Sequence, residues 1–325
     1  MTAKNTNPRP AETPDTKLAD TKSADTNNGA TNNGDADTSP HQKNYGVVVV
    51  SFGSHDELAT FVESLDHSTH RPTNIVVVEN GPTLPPLTAL ADITTTLHRS
   101  DNPGYGGAIN AGVAHLGGDL EWVLISNPDV VLEPEAIRAL MAVAQSSPTI
   151  GAVGPALVNP DGSIYPSARA VPSLRVGTGH ALFAALWPAN PWTASYRGTY
   201  DSTTPRPCGW LSGACLLVRR SAFDAVGGFD EGYFMFMEDV DLGMRLGTAG
   251  WSSVYVPEAR AEHTVGHSTG GAKHAMAQAH HRSARRFIAK RYPGPYWFPL
   301  RAFVGLGLSV RQRIVQLLAA RKPQR

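Results

Sequence analysis

The sequence predicts an α/β domain with a Rossmann-like, mostly parallel sheet flanked by helices. Three observations carry that expectation. Short apolar runs of strand length recur along the chain. Helical apolar spacing separates them. Polar or glycine-bearing turns close them. Strands alternating with helices in this way build parallel sheets.

The elements follow in order. In YGVVVVSFGSHDELATFVESL, positions 47–50 are all valine, as expected of a strand covered on both faces. Ser54 with Glu57 three residues later reads as a capping box. Leu58, Phe61, Val62 and Leu65 then keep helical spacing. NIVVVENG is a second strand with an Asn-Gly turn, and ITTTLH a weaker third. NPGYGGAINAGVAHL is a glycine-rich loop over 102–107 that leads into a helix, with Ile109, Val113 and Leu116 on one face. EWVLISNPDV is a fourth strand ending in polar residues. Pro134 is placed to open a helix at its first turn. IGAVGPAL gives a fifth strand, and NPDGS a turn.

From 163 to 207 the texture changes. Pro, Trp, Tyr and Arg are scattered without period, which reads as a long ordered loop or insertion. GACLLVRRSAFDAVGGFD restores a strand and a short helix. The stretch YFMFMEDVDLGMR then runs four bulky apolar residues into Glu238, Asp239 and Asp241. A helix is expected from about Glu238 to Gly250, with Leu242 and Leu246 inward and Asp241 and Arg245 spaced for a surface pair. SSVYVP is a last strand. No internal repeat of about 20–50 residues is present.

The ends of the chain differ from its middle. Residues 1–43 have only Met1 and Leu18 as large apolar side chains. Such a segment cannot offset its ordering entropy and is expected to be a disordered tail. The first 40 residues also lack the apolar core of a secretory signal. From 263 to 325 there are 12 Lys or Arg and no Asp or Glu, so the other 262 residues hold 16 basic against 28 acidic side chains. Within that basic stretch, 272–291 reads as an Ala-rich helix carrying Arg282, Arg285, Arg286, Lys290 and Arg291. PYWFPLRAFVGLGLSVRQRIVQLLAA then interrupts apolar positions with arginines. That pattern suits a segment lying in an anionic membrane interface without crossing it. Packing on the α/β domain or in a homo-oligomer interface is the alternative. The apolar density argues against nucleic acid. Two cysteines, Cys208 and Cys215, are too few for a disulfide framework and make no CxxC zinc pair, which suits reduced thiols in the cytosol.

Ligands of open α/β sheets bind where parallel strands end. Ser51 and Glu79 end the first two strands, although ordinary turn chemistry would account for them equally. The 102–107 loop could approach a phosphate at a helix N-terminus; it is neither a Walker loop nor GxGxxG after the first strand. Asn127 and Asp129 in SNPDV offer one carboxylate to a hard cation, or a simple turn. His263 and His267 follow the last strand. The acids at 238–241 suit a helix N-terminus. That role leaves unexplained why FMFM precedes them.

VVVVSFGS, VVVENG, NPGYGGAINAG, SNPDV, the segment 210–251 and VYVPEARAEHTVGHS, in this order, resemble the inverting family 2 glycosyltransferases of GT-A fold. Within them, the chain is similar to bacterial rhamnosyltransferases of cell-wall linker synthesis, over roughly 45–290. The resemblance implies transfer of L-rhamnose from a dTDP-sugar donor to N-acetylglucosaminyl-diphosphoryl-polyprenol. It implies Asp239 as catalytic base. Asp129 would be the surviving acid of a DxD-type motif that here reads Asn127-Pro128-Asp129, and His263 would complete a site for Mg²⁺ or Mn²⁺. Ser51 and Glu79 would touch the nucleoside, and Asn102, Gly104 and Asn110 would line base and ribose. Trp210 and Asp241 would hold the acceptor sugar. A catalytic domain over 44–270 is implied, with a nucleotide-sugar half to about 160 and an acceptor half beyond, seated peripherally at the cytoplasmic face of the plasma membrane. A sugar-nucleotide pyrophosphorylase is disfavoured, because VSFGSHDE lacks an Arg-bearing glycine loop. A non-catalytic binding protein that kept the fold stays open.

Overall fold

The computed structural model describes residues 45–86, 89–173, 203–264 and 273–320. The expected disordered tail, His267 and most of the irregular stretch lie outside them. The elements are β1 (Tyr45–Ser51), α1 (His55–Asp66), β2 (Asn74–Glu79), β3 (Thr94–His98), α2 (Gly104–His115), β4 (Trp122–Ser126), β5 (Val130–Leu132), α3 (Ala136–Gln145), β6 (Ile150–Val158), β7 (Ile164–Tyr165), β8 (Ala168–Arg169), β9 (Arg206–Cys208), β10 (Trp210–Leu211), β11 (Cys215–Arg219), α4 (Arg220–Ala225), α5 (Glu238–Thr248), β12 (Ser252–His263), α6 (Lys273–Arg291) and α7 (Phe298–Ala320).

Among the described residues one large sheet runs β3-β2-β1-β4-β11-β6-β12-β5, with β7 on β6 and β9 on β12. The β3-β2-β1-β4 half is parallel throughout. The sheet becomes mixed at β11, which lies antiparallel between β4 and β6, while β6 and β12 are again parallel. Alternation along β1 feeds two cores. Val47 and Val49 join α1 and α3 on one face, and Val48 and Val50 join α2, α4 and α5 on the other. Each fully buried Val or Leu contributes about 1.5–3 kcal/mol relative to exposure, so the all-valine run is explained by two covered faces.

Several local expectations are corrected. Ser54 is the N-cap residue of α1 but makes no side-chain cap bond; its carbonyl receives the Leu58 amide instead. Pro134 precedes the helix, which starts at Ala136. α2 begins at Gly104, inside the stretch read as loop. Gly106 of that helix abuts Phe229, where an added Cβ would come within 2.9 Å of the Phe229 Cβ. The last strand runs on to His263, six residues beyond its apolar part, because β5 pairs with that extension. The irregular stretch contributes the short strands β7, β8 and β9.

A third apolar cluster joins Tyr233 and Val240 to Phe287 of α6. The basic C-terminal helix is therefore packed beside the acidic stretch of α5.

Candidate active site

The parallel strands β1 and β2 bring Ser51 and Glu79 into register at one edge of the sheet. Glu79 is fully buried. Its Oε1 accepts from the amides of Gly53 at 2.9 Å and Gly81 at 2.6 Å, so it holds two loops in place. Its Oε2 accepts no hydrogen bond, nor does Asn80 Oδ1, and Ser51 Oγ is likewise without a partner; His55 Nε2 stands 3.5 Å from Oε2. Buried polar atoms without partners cost about 1–3 kcal/mol each. Three of them at one strand edge fit a site built to receive polar ligand groups.

The glycine-rich segment closes this edge. Asn102 adopts φ 40°, a left-handed conformation, and its Oδ1 accepts from Asn80 Nδ2 at 3.3 Å. Gly104 has φ +82°, and a Cβ there would lie 2.2 Å from the Phe234 carbonyl oxygen. Glycine is required twice over, by the backbone angle and by the close approach. Asn110, expected to face base and ribose, is instead committed to the 228–231 loop. Its Nδ2 donates to the Phe229 carbonyl at 2.9 Å and its Oδ1 accepts the Phe229 amide at 2.9 Å.

Asp129 and His263 come together, with Oδ1 and Nε2 3.4 Å apart. The antiparallel pairing of β12 with β5 sets His263 opposite Val130, and the Thr264 amide donates to the Asp129 carbonyl at 3.1 Å. Among the described residues no group of three or more His, Cys, Asp or Glu converges on one point. A carboxylate and an imidazole side by side still fit a hard cation that keeps most of its positions for phosphate or water.

Asp239 meets the same edge through the 212–214 turn. The Gly213 amide donates to Asp239 Oδ2 at 3.2 Å, while the Ala214 carbonyl accepts the Asn127 amide at 2.8 Å. Adjacent residues of one turn thus contact the base candidate and the SNPD segment. Tyr105 spans the gap, donating its hydroxyl to the Gly213 carbonyl at 2.5 Å. Burial raises the Tyr105 hydroxyl well above the usual phenol value, and Glu238, Asp239, Cys215 and Asp129 add to the rise.

Burial also pushes Asp239 up from the usual carboxylate range, against the amides of Gly213 and Val240 and the Arg169 guanidinium. Glu238 is pushed up to about 8 by burial and then by Asp239. Two adjoining buried carboxyls cannot both ionise cheaply, and burial makes each of the two hold a proton more tightly than a free carboxyl.

Asp241 differs from its neighbour. It is fully buried, so the surface pair expected with Arg245 is an internal one. Arg245 Nε lies 2.6 Å from Oδ2 and Lys290 Nζ 2.6 Å from Oδ1. With both oxygens engaged, Asp241 is structural in this arrangement and not open to a sugar. Trp210 is partly buried; its Nε1 donates to the Ala170 carbonyl at 3.1 Å, and the Arg169 guanidinium lies 5.8 Å from its ring.

Sequence reasoning missed Tyr105, Arg169 and Lys290. A tyrosine between glycines in NPGYGG was the one available hint for Tyr105. Arg169 lies in the stretch without period, and Lys290 was counted among the membrane-facing charges.

The family described as "Glycosyltransferase like family 2" matches residues 41–286. The chain belongs to this family. The glycosyltransferase is 45% identical over 291 residues to the N-acetylglucosaminyl-diphospho-decaprenol L-rhamnosyltransferase of Mycobacterium tuberculosis, covering 86% of this chain and 95% of that one. It is 25% identical to the rhamnosyltransferase WbbL of Escherichia coli, covering 75% and 92% respectively. A solved mannosyltransferase, PcManGT from Pyrobaculum calidifontis in complex with GDP-Man and Mn²⁺, overlaps at a TM-score of 0.49 and 15% identity, covering 86% of this chain and 76% of that one. The assignment of this glycosyltransferase rests on the sequence matches.

Proposed function

We propose that this glycosyltransferase moves L-rhamnose from dTDP-rhamnose to N-acetylglucosaminyl-diphosphoryl-polyprenol, with inversion. The observation that carries the reading is the 212–214 turn, which touches Asp239 on one side and the Asn127 segment on the other. The substrates are taken from the likeness to the mycobacterial enzyme, which extends over nearly the whole of that protein.

In the proposed reaction the acceptor hydroxyl attacks the anomeric carbon from the face opposite the diphosphate. The bond from that carbon to the diphosphate oxygen breaks as the new glycosidic bond forms. Asp239 accepts the hydroxyl proton, a contribution of about 10²–10⁴-fold. The Gly213 amide, on a turn braced by the Tyr105 hydroxyl, holds its carboxylate on the reaction side. Ser51, Glu79 and Asn80 offer unpartnered polar atoms to the nucleoside, beside Asn102 and Gly104. Trp210, carrying Arg169 at its ring, lines the acceptor side. Asp129 and His263 would hold Mg²⁺ or Mn²⁺, which when bound neutralises the leaving diphosphate.

The nucleotide-sugar half is assigned to about 44–160, the acceptor half to 161–270 and the membrane-directed extension to 271–325. Among the described residues no helix is long and apolar enough to cross a membrane. On α7, Phe303, Leu306 and Val310 are 76%, 64% and 48% exposed, one helical stripe behind Tyr296, Trp297 and Phe298. An exposed apolar stripe in an acid-free, basic region supports peripheral seating on anionic lipid at the cytoplasmic face.

Sugar nucleotides offered with a polyprenyl-diphosphate-GlcNAc acceptor test the substrate reading. Product is expected from dTDP-rhamnose, with inverted configuration; turnover of UDP-sugars alone would remove the rhamnosyl assignment. Flotation with vesicles containing anionic lipid tests the seating. Phe303→Ser with Leu306→Ser is expected to lose flotation, and undiminished binding would reject this stripe.

A further inference from the structure

Lys290 lies some fifty residues beyond Asp239, in a helix that contributes nothing to the strand edge of the site. We propose that it is a positioning residue for the general base: its ammonium ties together the two ends of the loop that carries Asp239. This inference rests on Asp239 acting as base.

The loop runs from Asp230 to the first turn of α5. Lys290 Nζ lies 2.6 Å from Asp230 Oδ2 and 2.6 Å from Asp241 Oδ1. One cation therefore clasps residues 11 apart in sequence, and Asp239 lies between them. The enclosed backbone needs holding. Phe236 and Met237 have φ of 69° and 68°, consecutive left-handed conformations that are costly for non-glycine residues. Such strain persists only where the surroundings impose it. Helix α6 supplies much of that imposition. Ser283 Oγ donates to the Met235 carbonyl at 2.8 Å, and His280 meets the Phe236 ring edge-on at 5.5 Å. From the other side the Tyr105 amide donates to the Phe234 carbonyl at 3.0 Å. Tyr233, fully buried, sits under both Arg286 and Lys290 at 5.3 and 5.7 Å.

The charge count separates a clasp from general neutralisation. Two acids, Asp230 and Asp241, face three cations, Arg245, Arg286 and Lys290. Without Lys290, Asp241 keeps Arg245 and Asp230 keeps Arg286, so no carboxylate is left unpaired. Loss of Lys290 should then leave a folded protein whose loop is open. Arg286 is the internal control. It reaches Asp230 with Nη2 at 2.7 Å and stacks on the same tyrosine, yet its hydrogen bonds and ion pair are to Asp230 and not to Asp241.

The test compares Lys290→Met with Arg286→Met in the full chain, on a short-chain water-soluble acceptor so that lipid seating does not enter. Lys290→Met is expected to lower kcat at least tenfold while KM for the donor and calorimetric affinity for dTDP stay within twofold. Arg286→Met is expected to keep kcat within twofold, and Lys290→Arg to recover most of the loss. In the Asp239→Asn background, Lys290→Met should subtract nothing more. Parental kcat in Lys290→Met, or equal losses in the two single variants, would overturn the proposal. If Asp239→Asn itself retains turnover, the base assignment fails and this inference falls with it; an inactive Asp239→Asn beside an unaffected Lys290→Met removes the clasp alone.

Discussion

The strand edge at β1 and β2 and the junction of α5 with α6 differ in how their buried carboxylates are partnered. At the edge, Ser51 Oγ, Glu79 Oε2 and Asn80 Oδ1 are buried without hydrogen-bond partners. At the junction, Asp241 has a cation on each oxygen and Asp230 is shared by two. Burial would raise Asp230, yet the hydrogen bonds from Arg286 and Lys290 hold it far below the usual carboxylate range. The contrast concerns the carboxylates of Glu79, Asp230 and Asp241, since Glu238 Oε2, Arg245 Nη2 and His281 Nδ1 at the junction are also without partners. Asp239 and Asp241, two positions apart in one helical turn, differ in what pairs their oxygens. Asp239 rests on backbone amides, whereas Asp241 is locked between side-chain cations.

The largest effect expected from this contrast is on turnover. Asp239→Asn should lower kcat by about 10²–10⁴-fold with dTDP affinity intact and only a small fall in thermal midpoint, since the carboxamide oxygen can accept from one of the Gly213 and Val240 amides but not both. Near-parental kcat would take Asp239 out of the chemistry. Asp241→Ala should act on stability instead. It strips Arg245 and Lys290 of a buried partner, a loss of about 3 kcal/mol, at the low end of the range because both cations keep some solvent. A urea midpoint unchanged from the parent would contradict the buried-pair account.

A smaller effect concerns pH. The folded state raises Glu238 from 4.5 to about 8, so the folded chain holds a proton that the unfolded chain releases. The stabilisation is complete below about 4.5, fades as pH rises, and is gone above about 8. Glu238→Gln should therefore flatten the decline in metal-free stability across that window; an identical slope in parent and variant would argue against a buried, protonated Glu238. Ser51→Ala should be nearly silent for stability, because deleting an unpartnered hydroxyl forfeits no bond, while dTDP binding weakens. A clear loss of stability with unaltered binding would place Ser51 among the scaffold groups.

The parallel half of the sheet was legible because period and burial agree there: all-valine positions 47–50 need two covered faces, and the α1 spacing supplies one of them. The antiparallel insertion of β11 was not, since CLLVR reads the same in either direction. Asp129 and His263 were legible as strand-end residues, and the structure joins them. Asp241 was misjudged because helical spacing to Arg245 shows a pair but not its depth. Burial of that pair depends on Lys290 and Phe287, some fifty residues away. Asn110 was implied as a ligand group by the family resemblance, yet its amide is matched to the Phe229 backbone. No local pattern reveals such long-range pairings.

The central claim is that Asp239 and the Asp129–His263 pair face one pocket from opposite sides. A crystal structure of the full chain with dTDP and Mn²⁺ tests it most directly. The account predicts the diphosphate beside Asp129 and His263, the thymidine at Ser51 and Glu79, and a gap of sugar size open to the Asp239 carboxylate. Nucleotide bound elsewhere, or Asp239 walled off behind the 212–214 turn, would contradict it.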